Sequence, residues 1–153
     1  MTFDEKIKAL NDLAIAWYST SQADTIHEAF FRGQGLGKSA DRCKEEAEEE
    51  LEEAKKCTER VVAPGGKPEY GFLPQEIHND PKELLERWHR EFTEGGIESM
   101  NQLACSLADD AVTRKLVEGF VAGEEEHAAW VAKHFSIIEK PGYDNYLLEM
   151  MDI

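Results

Sequence analysis

Residues 112–138 read VTRKLVEGFVAGEEEHAAWVAKHFSII. Apolar side chains recur there at Val112, Leu116 and Phe120, then at Val131, Phe135 and Ile138. That spacing is the 3.6-residue period of a helix with one buried stripe. The positions that carry the stripe through its middle hold Glu124 and His127. Three residues apart on a helix, these two share a face, and it is the face that the apolar residues assign to the interior.

Working outward, three more segments show the same period. The first, about 4–32, carries Ile7, Leu10, Ala14 and Trp17. The second, about 38–62, carries Cys43, Ala47, Ala54, Cys57 and Val61. The third, about 81–107, carries Leu85, Trp88, Phe92, Met100, Leu103 and Leu107. With the fourth, about 110–139, and a short tail helix at about 143–151, these account for most of the chain. Asp80-Pro81 reads as an N-cap followed by proline at the first helical position. Pro141-Gly142 ends the fourth segment, and Pro64, Gly65, Gly66, Pro68, Gly71 and Pro74 mark one long connection. Each long segment would run about 40 Å at 1.5 Å per residue. The expectation is an all-α fold: a four-helix bundle with a long crossover between helices two and three and a short fifth helix. A length of 153 residues fits a single domain spanning 1–153.

Composition narrows the function. The formal net charge is −15, which repels nucleic acid and anionic lipid and attracts cations. The longest run without Asp, Glu, Lys or Arg is eleven residues, Leu13 to Ala23, short of the roughly 20 that span a bilayer. With no basic and apolar leader pattern, a cytoplasmic location is expected. Cys43, Cys57 and Cys105 are odd in number and lack CxxC spacing, so buried or free thiols are expected. Gly33-Gln34-Gly35-Leu36-Gly37 is glycine-rich, but no strand precedes it and a phosphate loop is not expected. His27, His78, His89 and His134 read as surface or helix-lining residues.

The informative residues are acids inside apolar stripes. Glu50 lies on the stripe of the second helix, and Glu53 shares its face one turn on. Glu91 follows Trp88 by three and adjoins Phe92, at the edge of the third stripe. Several buried carboxylates at one level of a bundle repel one another and resist ionisation. A metal cation removes the conflict, and glutamate oxygens with an imidazole suit iron or manganese. Inward Glu on some helices and Glu-x-x-His on others is a dinuclear carboxylate pattern. The expected metal residues are Glu50, Glu53, Glu91, Glu124 and His127.

The last third of the chain resembles a bacterioferritin. The residues that carry the resemblance are Glu124-Glu125-Glu126-His127-Ala128-Ala129-Trp130 and Ile137-Ile138-Glu139-Lys140-Pro141-Gly142-Tyr143-Asp144-Asn145-Tyr146-Leu147. The Gly35-Leu36 joint, Glu59-Arg60 and the Gly65-Gly66 turn also fit. The resemblance implies a ferritin-like bundle and a di-iron ferroxidase centre built from Glu (helix one), Glu-x-x-His (helix two), Glu (helix three) and Glu-x-x-His (helix four). Carried over, helix four gives Glu124 and His127, helix three Glu91 and helix two Glu50. The helix-two histidine position holds Glu53 and the helix-one position holds Trp17; a tyrosine the family often keeps falls at Asp24. One iron position therefore keeps its ligands and the other is altered, with Glu53 or a shifted Asp24 as replacement donors. The haem-binding methionine position holds Leu51, which has no donor, so haem is not expected.

The resemblance implies iron(II) oxidation and storage, dimers, and a larger shell, alone or with a sister subunit. Ferroxidase activity is left open by Trp17 and Glu53. Two further readings stand beside it. One is a catalytically impaired structural subunit, and the other is a different di-metal oxidase on the same bundle, since fold does not decide among chemistries.

Overall fold

The computed structural model describes residues 1–152. All regular structure among them is helical: α1 (Phe3–Gly33), α2 (Gly37–Val62), α3 (Pro81–Glu91), a π turn (Phe92–Gly96), α4 (Ile97–Ser106), α5 (Ala111–Glu139) and α6 (Tyr143–Met150). No helix among the described residues is long and apolar enough to cross a membrane. The chain divides into two compact units, the first covering Met1–Ile77 and the second starting at His78.

In the first unit α1 and α2 form a hairpin. Thr2 and Glu5 close a capping box on α1: Glu5 Oε2 accepts from Thr2 N at 2.8 Å, and Thr2 Oγ1 accepts from Glu5 N at 3.2 Å. This satisfies two donors that every helix start leaves open. Gly35, at φ +77, takes the left-handed conformation that lets the chain reverse, and Leu36 N then bonds Phe31 O at 2.9 Å. The expected α2 stripe is buried at every position, from Cys43 through Ala47, Glu50, Ala54 and Cys57 to Val61. Both cysteines there are free and buried, whereas Cys105 is free and exposed. Burial pushes the Cys57 thiol up to about 12, so it is an inert core group.

The connection after α2 is clamped to α1 by two buried polar side chains. Asn11 donates to Lys67 O at 3.0 Å and accepts from Glu69 N at 3.1 Å, a peptide mimic on a helix face. Ser19 Oγ accepts from Leu73 N at 2.8 Å. Each bond satisfies an extended backbone that has no strand partner.

In the second unit Asp80 caps α3 as expected, accepting from Glu83 N at 3.3 Å, with Pro81 at the first turn. The continuous third segment expected over 81–107 is broken. A π turn follows Glu91, with Glu94 (φ −98, ψ 32) and Gly95 (φ +108, ψ −4) off the helical path. Gly95 permits the left-handed step. Gly96 is required for a second reason, since a Cβ there would meet the Glu91 carbonyl oxygen at 2.5 Å.

Asp110 caps α5, accepting from Thr113 N at 3.2 Å and from Thr113 Oγ1 at 2.7 Å. The α5 stripe begins at Thr113 and Val117 rather than at Val112, which is 63% exposed; capping places Val112 on the solvent side of the first turn. Gly142 (φ +91) turns the chain into α6. Tyr146 is buried there, and its hydroxyl bonds His134 Nδ1 at 2.8 Å. Tyr143 donates its hydroxyl proton to the Asp80 carboxylate and accepts from Lys82 N. The short last helix is thus tied to the start of α3 and the end of α5.

Candidate metal centre

Glu50 lies mid-way along α2, where its neighbours on the stripe are Ala47 and Ala54. It is 9% exposed, and its Oε1 has no hydrogen-bond partner among the described residues. Leaving such an oxygen dry costs about 1–3 kcal/mol. Burial holds its carboxyl well above the usual range, and the adjacent Asp24 carboxylate raises it further against an opposing hydrogen bond from Thr20. Two ionised carboxylates do not bond each other, so the contact needs a proton or a cation. Glu53, one turn along, is half-buried. Its carboxyl is also raised, by burial first, with Lys56 opposing and Glu49 and Glu52 adding. Lys56 Nζ stands 3.9 Å from it.

In the second unit, Glu124 and His127 sit one turn apart on α5, half-buried and buried respectively. The His127 ring is walled by aromatics: Trp88 edge-on at 4.7 Å, Phe92 edge-on at 5.0 Å and Trp130 at 6.2 Å. This wall packs against the imidazole on more than one side and restricts how the ring can turn. Glu91, expected at the edge of the buried stripe, is exposed and paired with Arg87 Nε at 3.0 Å. It is the last residue of α3, directly before the π turn.

Among the described residues no three His, Cys, Asp or Glu side chains are drawn tightly enough together to hold a metal ion. Glu91, on Arg87, is not drawn toward the other expected metal residues. The residue types fit iron or manganese: acid oxygens with one imidazole, and a buried carboxylate oxygen without a partner among the described residues.

One cluster was not legible as such. His27, expected at a surface or helix-lining position, is 1% exposed, and its Nδ1 lies 2.9 Å from Asp24 Oδ1. Asp24 is 3% exposed. Ser21 donates to Ala47 O at 2.7 Å, joining α1 to α2 beside them. The signal available in the sequence was the Asp-x-x-His spacing on a polar stretch of helix one. Its burial could not be read, because hydrophobic period marks apolar faces only.

A family model described as a ferritin-like domain matches residues 7–140. The bacterial ferritin of Pseudomonas aeruginosa is 29% identical over 152 residues, covering 94% of each chain. The bacterial ferritin of Neisseria meningitidis is 28% identical over 144 residues, covering 90% of each. Among solved structures, a Rhodobacter capsulatus bacterioferritin with a metal-free dinuclear site superposes at TM-score 0.90. It is 22% identical, over 98% of this chain and 95% of that one. The expected helical bundle with its short C-terminal helix is therefore the observed fold, and the chain belongs to the ferritin-like family, with bacterial ferritins as its relatives.

Proposed function

We propose that this chain is an iron-storage subunit of the bacterioferritin kind, with an asymmetric dinuclear centre. By the bacterioferritin resemblance, Glu50, Glu91, Glu124 and His127 would hold one iron(II), and a second would be held more loosely, because Trp17 offers no donor and Glu53 stands where an imidazole is expected. The carrying observation is the buried Glu50 carboxyl, whose Oε1 has no partner among the described residues. An acid left in that state is explained by a cation that satisfies it.

Each group has a stated part. His127, held between Trp88 and Phe92, would supply an imidazole nitrogen. Glu124 and Glu50 would supply anionic oxygens. Glu91 leaves Arg87 to join when charge arrives, and the π turn behind it gives the backbone freedom to adjust. Iron(II) gives up its electrons to dioxygen or peroxide, and iron(III) passes to a mineral store. The net charge of −15 draws cations toward the protein.

Under this reading the whole chain is one ferritin-like domain that assembles into dimers and a hollow shell. It acts in the cytoplasm and needs neither membrane nor nucleic acid. Manganese suits the same donors. Haem is not part of it, since Leu51 has no iron donor. A second reading, a structural subunit that co-assembles with a catalytic sister chain, is favoured by Trp17 and Glu53 alone. Aerobic addition of iron(II), followed by near-ultraviolet absorbance, separates them. Rapid, saturable oxidation that is lost in Glu124→Ala supports a working centre. A rate equal to that of buffer, with shells that still form, supports the structural subunit.

A further inference from the structure

We infer that the α1–α2 hairpin carries a metal position of its own, a divalent cation held between Asp24 and Glu50 with His27 orienting Asp24. Asp24 is 3% exposed, Glu50 9% and His27 1%. The Glu50 Oε1 is buried without a partner, and the Glu50 carboxyl faces the Asp24 carboxylate. His27 Nδ1 bonds Asp24 Oδ1 at 2.9 Å, the support from behind that metal-ligating groups commonly receive.

The surroundings are acidic from both helices. Glu28 lies on α1; Glu46, and Cys43 beside it, lie on α2. Burial raises the Cys43 thiol, and Asp24, Glu46, Glu50 and Glu28 all push it further the same way. The cations nearby are engaged elsewhere: Arg42 binds Glu46 and reaches Glu45 at 3.8 Å, and Arg32 binds Glu28 at 2.9 Å and Asp41 at 3.1 Å. Two carboxylates, with the Thr20 hydroxyl next to Glu50, make an all-oxygen site for iron(II) or manganese(II) rather than for a soft metal. Asp24 is seven residues from Trp17, about 10 Å along the helix. The second ion is thus displaced from the position that Trp17 has closed.

This rests on Glu50 being a metal ligand, and the test keeps the two ideas apart. Crystals of the full chain are soaked in manganous chloride, and anomalous maps are recorded for the wild type and for Asp24→Asn, which keeps an oxygen for His27. The expected wild-type map has one peak between Asp24 and Glu50 and one at His127, with only the first lost in Asp24→Asn. A wild-type peak at His127 alone overturns this inference and leaves the proposed function standing. A peak at Asp24 alone does the reverse. A map with neither overturns both, and an Asp24 peak that persists in Asp24→Asn assigns the ion to other ligands.

Discussion

Replacing Glu50 by glutamine should move stability in opposite directions with and without metal. In the metal-free protein the wild-type carboxyl is 9% exposed, has one unsatisfied oxygen and faces Asp24. Glutamine has nearly the same shape and supplies an amide donor that Asp24 can accept. Without metal the wild-type carboxyl must take up a proton to sit against Asp24, and glutamine meets that contact without one, so the change removes a cost of about 1–3 kcal/mol. At about 2–4 °C per kcal/mol for a chain of this size, Tm should rise by about 2–12 °C. Metal reverses the order. A ligand at 100 times its Kd stabilises the wild type by about 2.7 kcal/mol, whereas Glu50→Gln loses an anionic donor and most of that gain. The assay is thermal unfolding of both proteins in chelator and in excess manganese(II). A variant that melts below the wild type in chelator, or that gains as much from manganese, refutes the reasoning.

Three further outcomes are expected. Trp17→Glu returns a donor to helix one and should raise aerobic iron(II) oxidation by about tenfold or more, the scale of ligand-shell effects; an unchanged rate means that Trp17 does not stand in for a ligand. Gly66→Ala puts a Cβ at 2.5 Å from Ile7 Cδ1 and 2.6 Å from the Val61 carbonyl oxygen, so it should cost about 1–3 kcal/mol in urea unfolding, and a neutral result contradicts the close approach. Burial lifts the Tyr146 hydroxyl to about 12 from an ordinary value near 10. The folded chain therefore keeps a proton that the unfolded chain gives up, and the resulting stability, present below pH 10, is lost between pH 10 and 12. Tyr146→Phe should flatten that slope in denaturant titrations at pH 9 and 11; an equal slope assigns the loss to another group.

The long helices were legible because their period and punctuation agree. Asp80-Pro81 and Pro141-Gly142 fall where α3 begins and α5 ends, and every expected α2 stripe residue is buried. The π turn was not legible: Gly95-Gly96 weakens a helix anywhere, and the sequence does not say whether the chain bends or bulges there. Val112 misled because capping by Asp110 sets the phase of the first turn, and periodicity alone cannot fix it.

The site divides in the same way. Glu50 could be placed by its apolar neighbours Ala47 and Ala54. Glu91 could not, because an acid at the edge of a stripe is free to choose Arg87 over the interior. Asp24 was open as a shifted donor, but its pairing with His27 was not legible, because a buried polar pair 2.9 Å apart leaves no apolar trace.

The idea that acids gather inside these helices to hold cations is tested most directly by counting bound manganese(II) without oxygen. Electron paramagnetic resonance reads the free ion as it is titrated into the assembled protein. Saturable uptake, lowered by the His127 share in His127→Ala while assembly size and helix content match the wild type, is the expected result. Wild-type protein that leaves all the manganese in solution, or a His127→Ala variant that binds as much, would contradict it.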